Sequence, residues 1–489
     1  MTSSIASEKL PLRTKIGFGL GDIYGGGSGV IIGFYYLYFL TDVIRINPAL
    51  AGTAFLISKL YDAVTDPFEG LLTDRTRTPL GRRRPYLLAG IGLVFLSFFL
   101  MWYPAAFESE MVRFIYVIAT YLFFSTVVSI VMTAYNALAA ELTLDYHERT
   151  SLSSIRIFFS TFASILAAVL PLEIVKLAPD PHTGYIWMGL AFGTFFALPF
   201  LVTFFTTRER PEFQKPNQPI NLRAIFIDPF RVRTFVVVML MYLLAFVAMD
   251  TVSSIVIYFM KYYLGRGSEA NYVSGALLVS QVVALPFYVW LSRKTSKRSG
   301  YLVGALIWIG TMLFSFAITP SALGWAVYVF ACLVGLGTGG IVVMIYAMFP
   351  DIPDVDELAS GQRREGTYSA ITTFMRKLSS AFALFLVSNA LALSGYRPPL
   401  DETVAGVTRV VEQAQTPAFL NALRFVFAFT PLVLLSLAVL VALRYPLNAA
   451  RHQRLAAVLK IQRDCERGGQ PLPEAVAREA QELKKVLIG

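Results

Sequence analysis

The stretch KLYDAVTDPFEG, Lys59 to Gly70, lies inside a long apolar segment. It carries a lysine and two aspartates, Asp62 and Asp66, where a hydrocarbon-facing helix carries none. An ionisable group at mid-membrane is costly unless it is paired or hydrated, so it usually has a function. Spacings of three and four residues put Lys59, Asp62 and Asp66 on one helix face, and that face must point into a cavity. Two carboxylates a turn apart repel each other, so either one is protonated or a cation sits between them. Oxygen ligands at this spacing suit a hard monovalent cation, and the same pair can carry a proton. The plainer reading is a buried salt bridge with Lys59 that only fixes packing.

The rest of the chain supports a membrane setting. Of its 489 residues 56% are hydrophobic and 15% charged, too apolar for a soluble protein of this length. Apolar runs of roughly 20 residues recur, as spanning a bilayer requires. Read between charged loops, they give about twelve helical spans. The first six lie near 16–41, 47–72, 86–104, 112–139, 153–176 and 184–206. The second six lie near 234–262, 271–292, 301–319, 324–348, 367–395 and 418–444. Met1 to Thr14 is polar and the first apolar run is long enough to span, so no cleavable signal is expected. The two cysteines, Cys332 and Cys465, and the three histidines suggest neither a disulfide framework nor a zinc site. The net charge of +10 collects in short loops, where membrane topology explains it better than nucleic acid does.

The expected domains are an N-terminal six-helix half (1–206), a polar linker (207–233), a second six-helix half (234–444) and a tail (445–489). Six spans, a linker and six spans is the plan of a transporter built from two repeated halves. Arg75, Arg77, Arg82, Arg83, Arg84, Arg208, Arg210, Lys215, Arg293, Lys294, Lys297, Arg298, Arg363 and Arg364 occupy one set of loops. That side is then cytoplasmic, with both termini and the linker on it. In the tail, Leu455, Val458, Leu459 and Ile461 recur at helical spacing. They predict an amphipathic helix on the membrane surface or against the cytoplasmic loops, the alternative being a solvated tail. Glycines crowd the first span (Gly17 to Gly33) and the tenth (Gly335 to Gly340), where small residues let helices approach closely and slide or simply pack.

Other charges fall inside spans: Asp22 in the first, Arg156 in the fifth, Asp250 in the seventh and Lys377 in the eleventh. Arg156 and Lys377 need counter-charges, for which Asp62 and Asp66 are candidates. Lys377 can alternatively snorkel to an interface. Asp250 has no other charge in its run; it is either a solute contact or a protonated packing group. Interleaved acids and bases mark the basic side: Asp74 with Arg75, the turn holding Arg84, Asp145 with Arg149, and Arg363 with Arg364. They are candidates for a cytoplasmic gate between the halves, or for topology alone.

At these residues the chain resembles the glycoside–pentoside–hexuronide:cation symporters, the melibiose-carrier family of the major facilitator superfamily. The likeness runs through YLYFLTDV, KLYDAVTDP, TDRTRTPLGRRRPYLLAG, AYNALAAELTLDYHERT and GQRREGTY, in order along nearly the whole chain. The resemblance implies that Asp62 and Asp66 bind Na+, Li+ or H+. It places Thr65 and Ser129 where the family's melibiose carriers have an asparagine and a threonine at the cation site. It matches Lys377 to a lysine of the eleventh span and Arg156 to a sugar-contacting arginine. Where those carriers hold sugar hydroxyls with two aspartates and a tryptophan, this chain has Gly26, Met132 and Asn136, so galactoside recognition does not transfer. Asp22, one turn before Gly26, is a replacement carboxylate. Tyr36, Tyr61 and Tyr135 are aromatics that either stack on a sugar ring or pack.

The expectation is therefore an all-α membrane protein of the major facilitator fold, a monomer in the cell (inner) membrane. It is not an enzyme. It performs symport of a glycoside or similar polar solute with Na+ or H+, and needs no other cofactor. Lys59 and Lys377 couple the two cargoes. Asp22, Arg156, Asn136, Asp250, Tyr36 and Tyr135 contact the solute. The other reading is a cation-dependent transporter of lysolipid or another amphiphile.

Overall fold

The structure is a computed structural model that describes residues 9–143, 146–209, 227–361, 364–404, 407–468 and 471–488. Its helices are α1 (Leu12–Leu20), α2 (Asp22–Ile31), α3 (Pro48–Arg75), α4 (Arg84–Trp102), α5 (Glu110–Leu142), α6 (Tyr146–Lys176) and α7 (Pro181–Thr206), then α8 (Arg233–Tyr258), α9 (Ala270–Lys294), α10 (Lys297–Ser315), α11 (Gly324–Met348), α12 (Ile352–Ser360), α13 (Glu365–Leu393) and α14 (Pro417–Ala442). Two more, α15 (Ala449–Gly468) and α16 (Glu474–Leu487), form the tail. Among the described residues 9 helices are long and apolar enough to cross a membrane. The first, second and ninth expected spans are helical but outside that set. The first is divided into α1, α2 and π-helical turns at Ile32–Tyr36 and Phe39–Val43. The second, α3, carries Lys59, Asp62 and Asp66, and the ninth, α10, begins with Lys297 and Arg298.

Local chemistry sets the helix starts. Asn47 caps α3 by accepting from the Ala49 N–H at 2.9 Å, with Pro48 in the first turn. Asp180 does the same for Thr183 at α7, and the Thr183 hydroxyl and N–H together hold the Asp180 carboxyl below its ordinary value. At α4 a remote side chain takes over. The Glu209 carboxylate accepts from the backbone N–H groups of Arg82, Arg83 and Arg84 at 2.6, 2.7 and 2.8 Å, placing negative charge on a helix N-terminus. One feature was not expected: Leu400–Val404 and Val407–Val411 form an antiparallel hairpin, β1 and β2, between α13 and α14.

The chain forms two compact units. The first comprises Met1–Gln218 with Ser253–Gly275 and Leu384–Leu423; the second comprises Pro219–Val252, Ala276–Ala383 and Arg424–Gly489. In the first, α2 lies so close to α6 that a Cβ at Gly26 would sit 2.4 Å from the Ser160 carbonyl oxygen. In the second, α10 and α11 touch backbone to backbone, a Cβ at Gly304 falling 2.8 Å from the Gly337 carbonyl. The glycine-rich spans thus serve close packing. The tail packs within the second unit, and of the residues at helical spacing Ile461 is exposed. Leu455, Val458 and Leu459 are buried, Arg463 Nε donates to Glu357 of α12 at 2.5 Å, and Thr234 Oγ1 donates to the Leu487 carbonyl at 2.6 Å.

Candidate functional site

About two turns of α3 and the facing side of α5 build the candidate site of the first unit. Lys59, Asp62 and Asp66 share a face because they are three and four residues apart on an unbroken helix. Lys59 Nζ lies 2.8 Å from Asp62 Oδ2. The Ser125 hydroxyl of α5 lies 2.6 and 2.8 Å from the two Asp62 oxygens. One turn further along α5, Ser129 Oγ donates to Asp66 Oδ1 at 2.5 Å. Asp62 is buried, at 1% exposure, and Asp66 is half-buried. The result is a ladder of two carboxylates, each facing a serine one α5 turn from the next. Such hydroxyls are adaptable: each donates one hydrogen and keeps lone pairs that can turn towards a cation. Thr65, expected here, donates instead to the Tyr61 carbonyl of its own helix at 3.1 Å. Ser125 was not anticipated, since a serine in an apolar run is too ordinary to stand out.

A second group lies between α2 and α6. Arg156 sits 3.1 Å from Asp22 Oδ1 and over the Tyr135 ring at 5.3 Å. Asp22 is thus a counter-charge of Arg156, a role for which the sequence makes Asp62 and Asp66 the candidates. The Asp22 side chain is 8% exposed and that of Arg156 29%, which leaves the guanidinium reachable. The close approach of α2 and α6 at Gly26 explains why no aspartate stands there: its Cβ would overlap Ser160. Asn136 is exposed.

Two expectations are corrected. Tyr135 is fully buried, stacks on Phe18 at 4.5 Å and donates to the Phe18 carbonyl at 2.7 Å, so it packs and supports Arg156 without offering its face to a solute. Tyr36 is 1% exposed in a cluster with Phe39, Phe55, Trp102 and Tyr121. Aromatic content made both look like ring-stacking candidates; burial makes them core. Tyr61 is partly exposed and its hydroxyl meets Thr126 at 3.1 Å.

In the second unit Asp250 is not alone. Arg376 of α13 holds it with two parallel bonds, 2.5 and 2.9 Å, the fork geometry of a strong ion pair. Arg376 also covers the Phe246 ring at 4.6 Å. Lys377, its neighbour in sequence, is half-buried on the same helix. The sequence expectation falls on Lys377, whereas Arg376 holds Asp250.

The basic loops give local pairings. Arg82 reaches Glu141 at 2.5 Å, and Arg84 donates to the Phe204 carbonyl at 3.0 Å and covers the Phe204 ring, all inside the first unit. Arg149 donates to the Thr143 carbonyl at 2.9 Å, and Arg75 is exposed. Arg364 grips Asp356 through two bonds at 2.6 and 2.8 Å, inside the second unit. Asp145, Arg363 and the Asp74 side chain lie outside the described residues.

A further cluster of the first unit, not singled out by the sequence, lies at the ends of the first and seventh spans. Asp42, at the end of the first span, is 5% exposed. It accepts from Thr41 Oγ1 at 2.8 Å, from the Tyr396 hydroxyl at 2.7 Å and from the Tyr262 hydroxyl, with Lys261 Nζ at 3.3 Å. Lys261 also pairs with Glu412 at 3.0 Å. Both span ends that meet here, Phe39–Val43 and Phe259–Tyr263, are π-helical turns. Their like placement in two repeated halves is the signal that could have found them.

Comparison with known proteins gives a consistent picture. A symporter of Synechocystis sp. is 28% identical, aligned over 92% of this chain and 97% of its own. The isoprimeverose transporter of Lactiplantibacillus pentosus is 25% identical over 93% of this chain and 92% of its own. Among solved structures, a D-xylose–proton symporter superposes with a TM-score of 0.62 at 15% identity, covering 88% of this chain and 96% of that one, which speaks for the fold. The family model described as MFS/sugar transport protein matches residues 17–449. The chain is thus a multi-pass membrane transporter of the major facilitator fold, and it belongs to the MFS/sugar transport protein family.

Proposed function

We propose that the protein is a cation-coupled symporter of a glycoside or related polar solute. Asp62 and Asp66 hold the coupling cation, Na+ or H+, which is cargo and not a resident cofactor. The observation that carries this reading is the ladder of Asp62 and Asp66 against Ser125 and Ser129. Its donors are all oxygen, its hydroxyls can turn, and its lysine competes for the same carboxylate. Cation entry displaces Lys59 from Asp62 and relieves carboxylate repulsion. The change of α3 and α5 that follows raises solute affinity, and the solute raises cation affinity by the same factor. Lys377 has a coupling role by resemblance. Arg156 with Asp22 supplies the solute contacts: a donor fork and an acceptor suit sugar hydroxyls, each of which donates and accepts. Asn136 adds a polar exposed group. Asp250, closed by Arg376, acts by holding α8 to α13. The names of the relatives, a symporter and an isoprimeverose transporter, favour a glycoside over an amphiphile. The basic loops favour an orientation with both termini on the cytoplasmic side of the cell membrane.

The test is uptake of a labelled glycoside panel, with isoprimeverose first, into proteoliposomes under a Na+ gradient and a pH gradient applied separately. One gradient should drive accumulation of one glycoside. Accumulation of none, with lysophosphatidylcholine taken up under the same gradients, would overturn the solute class.

A further inference from the structure

In the second unit, a cavity of about 300 Å³ opens where α10 begins and the chain leaves α14 for the tail. Its polar lining is Ser296, Arg298, Ser299, Tyr445, Asn448 and Arg451. Three features point to an anion. Ser296 caps α10, a helix of 19 residues, by accepting from the Ser299 N–H at 3.0 Å, so the positive end of the helix dipole faces the cavity. Neither Arg298 nor Arg451 has a carboxylate partner among the described residues; Arg451 donates only to the Pro446 carbonyl through its guanidinium. The Tyr445 hydroxyl is buried without a hydrogen-bond partner, on a side chain from a residue 5% exposed that lines the cavity. A buried donor left unmade is expensive, so such a group usually awaits a ligand or a water.

One acid, Asp351, acts on Tyr445. Asp351 is held by Lys297 at 2.6 Å, with His452 Nε2 at 3.7 Å. Burial, with Asp351 adding to it, pushes the Tyr445 hydroxyl further above its ordinary value, so it remains a donor. The level of the cavity also matters. The apolar helix α14 ends at Ala442, and Leu440 and Leu443 beside that end are exposed. Such apolar side chains are covered when a bilayer surrounds the helix, and the cavity then lies at headgroup depth.

We infer that this cavity binds a phosphate ester group, that of an acidic phospholipid headgroup at the membrane surface, between Arg298, Arg451, the α10 N-terminus and the Tyr445 hydroxyl. Two arginines and a helix end fit a phosphate oxygen set. A zwitterionic headgroup would bring a cation against the arginines. Occupancy would fasten the tail to α10, because Tyr445, Asn448 and Arg451 belong to the tail's root.

The experiment is thermal unfolding of the purified full chain in a neutral detergent, titrated with diheptanoyl phosphatidylglycerol, diheptanoyl phosphatidylcholine, or inorganic phosphate against chloride at equal ionic strength. The variants are Arg298→Gln with Arg451→Gln, and Tyr445→Phe, which deletes one oxygen and keeps the packing. The expected result is saturable stabilisation by phosphatidylglycerol and not by phosphatidylcholine. Half-saturation should move up about tenfold in the double variant and a few-fold in Tyr445→Phe. Stabilisation by inorganic phosphate, lost in the same variants, would keep the site and assign it to a soluble phosphate. No saturable response to any probe, or a response unchanged in both variants, would overturn the inference.

Discussion

Asp62 and Asp66 on α3 and Asp250 on α8 are acids inside apolar helices, one set in each compact unit, and they are met by different chemistry. Asp250 faces a guanidinium that engages both of its oxygens. A guanidinium offers only donors and stays charged, so this pair is complete without a third party. Asp62 and Asp66 face serine hydroxyls, with an ammonium at one end. Hydroxyls rotate, and a lysine on a flexible stem can leave. The difference teaches that a buried carboxylate is not by itself a cation site; the partner decides. A fork of fixed donors makes a rivet, whereas a row of turnable oxygens makes a place that a cation can enter and quit.

The largest expected effect tests that distinction directly. Asp66→Asn should reduce solute accumulation to the equilibrated level while gradient-free exchange continues, measured in proteoliposomes. Asp250→Asn should leave the cation dependence of transport in place. Its effect should be on stability, with the half-buried Arg376 left without its carboxylate, at a cost on the order of 2 kcal/mol. Thermal or denaturant unfolding of Asp250→Asn, Arg376→Gln and the double variant reads this. The double variant should recover part of the loss, because the two residues are coupled. A cation dependence that vanished in Asp250→Asn would break the comparison.

Smaller effects sharpen it. Ser129→Ala should weaken the apparent cation affinity by about fivefold, the worth of roughly 1 kcal/mol for one hydrogen-bonding group. Thr65→Ala should change it little, because the Thr65 hydroxyl is spent on the Tyr61 carbonyl. A larger effect of Thr65→Ala than of Ser129→Ala on cation-dependent transport would mean that the oxygens of α3, not those of α5, complete the site.

The fold was largely legible because hydrocarbon imposes long apolar runs and loops gather the charges. The acids of α3 were legible for the same reason: a charge in an apolar helix is rare. Their partners were not. Ser125 looks like any small residue in a packed helix. Arg376 and Lys377 are neighbours in sequence but point roughly 100° apart on a helix, and only packing says which one faces α8. Asp42 and Lys261 are 219 residues apart and sit at span ends, where a charge passes for a loop residue. Tyr36 and Tyr135 show the reverse failure, since a tyrosine reads the same in a core as beside a cavity. The hairpin at Leu400–Val411 gives little sequence signal, because each strand has only five residues.

The central claim is that the ladder on α3 and α5 holds the coupling cation, and direct cation binding tests it without knowledge of the solute. The measurement is the melting temperature of the purified protein titrated with Na+ against choline at constant ionic strength, and separately with pH. It is made on the wild type and on Asp62→Asn with Asp66→Asn. A ligand at about a hundred times its Kd stabilises the native state by about 2.7 kcal/mol, well within what unfolding can read. The account predicts a saturable shift with Na+ or with protons in the wild type that is absent from the double variant. The same shift in both proteins would contradict it and move the cation elsewhere in the molecule.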